Sequence, residues 1–86
     1  MKRIVESDEQ AGLEALLGET VLLMCANYFY AGKLVGINKT CVELENPYIV
    51  YETGAWDNKS YGDAQKLHAK KWYVQLDAIE SYGLGK

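Results

Sequence analysis

The sequence predicts a mainly β protein, built as a small and strongly bent antiparallel sheet that follows one short helix. Val21 to Ala26 is a continuous apolar run, and Phe29 to Ile37 is a second run that contains Gly32 and Gly36. The residues between these runs, and those before a third segment at Thr40 to Glu45, are too few to hold a helix. Glycine weakens a strand unless the sheet bends there or another backbone comes close. The pattern therefore favours a small, curled barrel.

The segment before the first strand is predicted to be a short amphipathic helix. Ser7 and Gln10 match a capping box, and Gly18 suits the position just past a helix end. Between them, three leucines recur at the i, i+3, i+4 spacing: Leu13, Leu16 and Leu17. We expect one helix over about residues 8–17.

The second half of the chain predicts a long loop and two more strands. Asn46-Pro47 interrupts strand pairing because proline has no N–H donor, so a bend or bulge is expected before the strand resumes at 48–52. Residues 53–65 are rich in Gly, Asp, Asn, Ser and Lys, which is typical of a long connection. The alternating segment 71–76 and the segment 78–84 predict strands four and five.

Length and composition indicate one domain over residues 1–86, with the strands between about 20 and 84. A chain of 86 residues buries only about 60–65% of its unfolded surface, so association with other chains would stabilise it. No apolar run approaches the roughly 18 residues that span a bilayer. Lys2-Arg3 leads into acidic residues rather than into an apolar signal segment. We expect a cytoplasmic protein without a membrane partner.

Neither the cysteines nor the one histidine predicts a metal, a cofactor or catalysis. Cys25 and Cys41 lie among apolar residues in predicted strands, which favours buried thiols over a disulfide. The spacing of cysteine and histidine matches no metal site. Ser60, Asp63 and His68 form a possible nucleophilic grouping, but they lie in a predicted loop without an oxyanion-type glycine turn. We therefore expect no enzyme.

Charge is unevenly distributed along the chain. The net charge is −3, so any binding to a nucleic-acid backbone must be local. Residues 6–20 hold five acidic side chains and no basic one, whereas residues 56–73 hold four lysines and His68 against two aspartates.

The segment GKLVGINKTCVEL resembles the first motif of the Sm/LSm superfamily, and within it the Hfq type. Gly32 and Leu34 fit the glycine and apolar positions, while Asn38 stands where that family has an aspartate. Asp77-Ala78-Ile79 and Tyr82 fall in the second motif, and the similarity covers about residues 8–52 and 71–84. The resemblance implies a five-stranded, SH3-like barrel with a long loop between strands three and four. Another SH3-like or OB-like barrel is the alternative.

The uridine pocket of that family is largely absent here. Thr40 and Val42 occupy the positions of its stacking residue and its base-reading asparagine, and Gln75-Leu76 replaces its Arg-Gly pair. The family's base preference is therefore not expected of this chain.

The resemblance also implies a cyclic homo-oligomer. In that family strand four of one subunit pairs with strand five of the next, and the contact closes a ring of about five to seven copies. The candidate interface residues lie on those two strands: Trp72, Tyr73, Val74, Ile79 and Tyr82. The alternative is that these side chains fill a monomeric core.

Single-stranded RNA or DNA is the second expected partner. Lys66, His68 and Lys70 alternate and would share one side of an extended arm, where cations and aromatic rings together contact phosphates and bases. The other candidates lie in the long loop, beside the arm and at a turn that faces the pore by analogy: Trp56, Lys59, Tyr61, Lys71, Asn38, Lys39 and Thr40. The alternatives are a solvated lysine-rich surface and a structural or protein-interaction ring without a nucleic-acid ligand.

Overall fold

The computed structural model describes residues 12–86, in which six strands form one open antiparallel sheet. Two short 3-10 helices, Leu13–Leu16 and Leu76–Ala78, precede the first and the last strand. The strands are β1 (Thr20–Cys25), β2 (Phe29–Ile37), β3 (Cys41–Glu52), β4 (Asp63–Lys66), β5 (Lys71–Gln75) and β6 (Ile79–Leu84). The prediction of a mainly β protein is confirmed.

The long strand β3 has two successive partners along one edge. The strand order is β4-β3-β2-β1-β6, and β5 also pairs with β3. Tyr48 to Glu52 pairs with β4, whereas Cys41 to Glu45 pairs with β5. The prediction of five strands was therefore wrong by one, because the predicted loop 53–65 includes the start of β4. The uncovered edge at the end of β3 provides hydrogen-bond partners for the backbone of residues 63–66.

The predicted α-helix over residues 8–17 is not found in the described part of the chain, and residues 8–11 lie outside it. Gly12 has φ 72° and ψ −159°, which no right-handed helix contains, so no helix passes through it. A four-residue 3-10 helix follows, and Gly18 reverses the chain with φ 90°. Within residues 12–86, no helix has the length and apolar character needed to cross a membrane.

Apolar side chains are buried on both faces of the sheet. On the first face Val21, Leu23 and Cys25 belong to the larger cluster, which also contains Leu34, Val42, Leu44 and Val74. On the second face Leu22 packs in a smaller cluster with Ala31 and Val50, and Tyr61 packs against it. The first strand is apolar without alternation because both of its sides are covered.

A bulge bends β3 at Asn46-Pro47, as the proline predicted. Ala31 pairs with Tyr48 and Lys33 pairs with Glu45, so β3 holds one more residue than β2 over this stretch. Asn46 has φ 52°, and Pro47 is buried beside Gly32. A Cβ atom at Gly32 would lie 3.1 Å from the Glu45 carbonyl oxygen, so glycine permits this close approach of the two strands.

Candidate nucleic-acid interface and assembly edges

A groove of about 680 Å³ lies on the second face, between the long loop (residues 53–62) and strands β1 to β3. Thr20, Lys33 and Tyr48 are among the residues that line its strand side. Lys59 lines its loop side, and Asp63, the first residue of β4, also lines the groove. The loop folds over this face because Tyr61 packs against the smaller apolar cluster.

A second, smaller depression of about 400 Å³ adjoins the groove through Asn46, which lines both. Its other lining residues form the connection between β4 and β5, from Lys66 to Lys70. The Leu67 N–H donates to the Pro47 carbonyl at 2.9 Å, and the Asn46 N–H donates to the Lys70 carbonyl at 3.3 Å. These backbone bonds hold the connection against the bulge of β3.

The two cavities concentrate positive charge on an acidic protein. Seven of the chain's nine Lys and Arg residues lie in residues 12–86, and five of these seven line the groove or the depression: Lys33, Lys59, Lys66, Lys70 and Lys86. Of the nine Asp and Glu residues in the same range, two line the cavities, Glu45 and Asp63. This excess of lysines over acidic side chains makes the surface suited to a polyanion, and His68 also lines the depression.

An aromatic ring lies among these cations. Tyr48 is 39% exposed, lines the groove, and is the cross-strand neighbour of Lys66. A half-exposed ring beside lysines can stack on an unpaired base while the cations contact phosphate. Sequence reasoning missed Tyr48, Lys33 and Asn46, because only the register of β3 with β2 and β4 shows where they lie.

The turn Asn38 to Thr40 lies apart from these cavities. About seven residues of β3 separate it from Tyr48, on the order of 20 Å along a strand. The Asn38 Oδ1 atom accepts hydrogen bonds from the Thr40 N–H at 2.8 Å, the Thr40 Oγ1 hydroxyl at 3.1 Å and the Cys41 N–H at 2.9 Å. This oxygen therefore builds the turn, while Lys39 is exposed beside it.

The long-loop candidates lie in three different settings. Lys59 lines the groove, whereas Trp56 is 62% exposed and borders a smaller apolar cavity on the β6 side. Tyr61 is half-buried between the apolar cluster and Lys86, and its hydroxyl accepts the Lys86 N–H at 3.1 Å. Tyr61 is thus mainly part of the loop's own packing.

Lys71, the remaining basic candidate, is paired with an acidic residue on β3. Its Nζ lies 3.2 Å from Glu43 Oε1, and this is the one ion pair found among residues 12–86. The hydrogen bond with Glu43 raises the pKa of Lys71. The Glu43 carboxylate, which is opposite Tyr73 in the β3–β5 pairing, also raises the pKa of Tyr73. Lys71 is therefore less available to a phosphate than Lys66 or Lys70.

Two edge strands carry a large share of the exposed apolar surface. Within the described residues, β5 pairs only with β3 and β6 pairs only with β1, so each has one open edge. Four of nine exposed large apolar side chains lie on these strands: Trp72, Tyr73, Tyr82 and Leu84. Of the other interface candidates, Val74 is buried in the core and Ile79 is half-buried against it, so they can contribute mainly through backbone atoms.

Comparison with known proteins assigns this chain to no family. The chain matches no protein-family model, and no curated protein or solved structure is significantly similar to it. The candidate function therefore depends on the residues themselves.

Proposed function

We propose that this protein is an Sm-like subunit that assembles head to tail into a closed ring and binds single-stranded nucleic acid on its lysine-rich surface. The observation that carries the ligand proposal is the gathering of five of seven described lysines around two adjoining cavities of an acidic chain. Salt-sensitive binding through phosphates follows from that charge.

The open edges support the assembly proposal. An uncovered edge strand with apolar side chains is a template for pairing with another chain. The edges of β5 and β6 end the path β5-β3-β2-β1-β6, so pairing β5 of one copy with β6 of the next is heterologous. Such a contact closes into a ring if the rotation between copies permits, about five to seven copies by the family resemblance.

Repetition around a ring would strengthen weak binding. Each copy would present the groove and the depression once, so a single strand that contacts several copies gains affinity through effective concentration. This matters because one copy offers few free cations: Lys86 is bound to loop carbonyls, which leaves Lys33, Lys59, Lys66 and Lys70.

Blocking one edge at a time tests the assembly. Tyr73→Lys places a charge on β5 and Tyr82→Lys places one on β6, while Tyr51→Lys is a control at a similarly exposed tyrosine on β3. Light scattering should give a ring for the control and a monomer for each edge variant. An equal mixture of the two edge variants should give a dimer, because one intact β5–β6 joint remains.

Two results would contradict the assembly proposal. If the wild-type chain were monomeric at micromolar concentration, the proposal that it forms a ring would be wrong. If the Tyr82→Lys variant formed a dimer alone, the joint would instead be β5 against β5.

Fluorescence anisotropy with U-rich RNA, A-rich RNA and DNA oligomers tests the ligand. For single strands, log K falls with log salt at a slope of about −0.7 for each phosphate neutralised. We expect Lys66→Gln with Lys70→Gln to reduce the slope by about 1.4, and Tyr48→Ala to weaken binding by about 1–3 kcal/mol. Lys39→Gln, at the distant turn, should change neither value.

The second candidate function is a structural or protein-interaction ring. The net charge of −3 favours it, since a general nucleic-acid binder is usually basic. A wild-type ring that binds none of the three oligomers at low salt would establish this alternative.

A further inference from the structure

The Lys86 ammonium group, just beyond β6, is bound by the long loop. Its Nζ donates to the carbonyl oxygens of Thr53 at 2.7 Å, Ala55 at 2.8 Å and Ser60 at 3.3 Å. A primary ammonium group has three N–H donors and no acceptor. Three convergent carbonyls therefore match the full donor set of one ammonium.

Two aromatic rings complete the site. The Nζ atom lies 5.4 Å from the ring centroid of Trp56 and 5.5 Å from that of Tyr61. Both distances are within the range in which a cation is attracted to the negative face of a ring. The charge is thus balanced by peptide dipoles and π systems, and no described carboxylate pairs with Lys86.

The loop backbone builds this arrangement from close contacts of its own. Gly54 has φ 72°, and a Cβ atom there would lie 3.1 Å from the Gly62 nitrogen, so the two ends of the loop nearly touch. The Asn58 N–H donates to the Ala55 carbonyl at 3.0 Å and closes a turn inside the loop. The carbonyls therefore converge because of the loop's own fold.

We propose that residues 53–61 form a receptor for a primary ammonium group, which Lys86 fills within the same chain. The selectivity follows from the donor set: no described carboxylate is present to balance a second positive charge, and three convergent carbonyls are matched by a group with three N–H donors. The bound ammonium fixes the loop to the end of β6. Because the loop is one wall of the groove, Lys86 positions that wall whether or not the groove binds nucleic acid.

Chemical rescue tests this receptor. Lys86→Ala empties the site, and Lys86→Met also removes the charge but keeps an unbranched side chain. In both variants we expect amide hydrogen exchange over residues 54–62 to accelerate by roughly tenfold, the loss expected for charge-assisted hydrogen bonds. Exchange in β5, which pairs with the Cys41–Glu45 half of β3 and with neither the loop nor β6, should be unchanged.

Added methylammonium chloride should slow exchange over residues 54–62 in Lys86→Ala, whereas sodium chloride at equal ionic strength should not. Tetramethylammonium has the charge but no N–H donor, so we expect it to fail. Equal protection by tetramethylammonium would overturn the role of the carbonyls. Wild-type exchange rates in Lys86→Met, or no rescue by methylammonium, would overturn the receptor itself.

Discussion

Replacing Gly32 by alanine tests the close approach of β2 and β3 at the bulge. The added Cβ would lie 3.1 Å from the Glu45 carbonyl oxygen, 3.3 Å from Leu44 Cβ and 3.4 Å from Pro47 Cα. These are backbone or near-backbone atoms of a paired strand, so none can rotate away. Overpacking of this kind costs about 1–3 kcal/mol.

Gly36→Ala is the matched control, because Gly36 lies four residues further along the same strand. Its added Cβ would meet Glu43 Cβ at an ordinary 3.4 Å, and its φ is not in the left-handed region. We expect Gly36→Ala to be neutral, or to gain a few tenths of a kcal/mol because the unfolded chain loses freedom.

Urea denaturation at one fixed protein concentration measures both variants, with thermal unfolding as a second readout. A cost of 1 kcal/mol corresponds to about 4–8 °C in Tm for a domain of this size. If Gly32→Ala is no less stable than Gly36→Ala, the strands can separate at the bulge and the steric argument fails.

Three further predictions concern the core, the turn and pH. Leu34→Ala should lower the free energy of unfolding by about 2–5 kcal/mol because Leu34 is fully buried, whereas exposed Leu17→Ala should stay within about 0.5 kcal/mol in the same urea titration. Asn38→Ala should lower Tm while Asn38→Asp retains it, since an aspartate oxygen can accept the same three hydrogen bonds; equal losses would contradict this role. Burial raises the pKa of the Cys25 thiol above 9.0. The stability that the buried neutral thiol contributes is therefore fully present below the pKa that the thiol has in the unfolded chain, and it is lost as pH rises through the pKa that the thiol has in the folded chain. Tm should therefore fall above pH 9, less steeply in Cys25→Ala, and iodoacetamide at neutral pH should label half-buried Cys41 before Cys25.

The strands were predictable where an apolar run is bounded by turn-forming residues. Val21 to Ala26 and Phe29 to Ile37 match β1 and β2 closely, and Pro47 predicted the bulge because a missing N–H donor is a local property. β4 was missed because Asp63–Lys66 is polar and has the composition of a loop. It is a strand only because β3 leaves an edge open beside it.

The candidate interface was predictable only in part. Lys66, His68 and Lys70 do line one depression, but residues 68–70 bend instead of extending, so the predicted alternation along an arm is not what brings them together. Tyr48 and Lys33 joined them through strand register, which a single sequence does not specify. The packing of Tyr61 against Leu22, Ala31 and Val50 depends on tertiary contacts that no local pattern contains.

Because the two ends of the long loop are paired with each other, the length of the loop does not affect strand pairing in the rest of the sheet. Glu52 is opposite Asp63, so the chain leaves β3 and returns to it at the same point. Residues could be inserted or removed between these two positions without changing the strand pairing of β5 or β6, and doubling the loop length costs only about 0.6 kcal/mol in closure entropy. Evolution or design could therefore reshape the groove while leaving the edges of β5 and β6 intact.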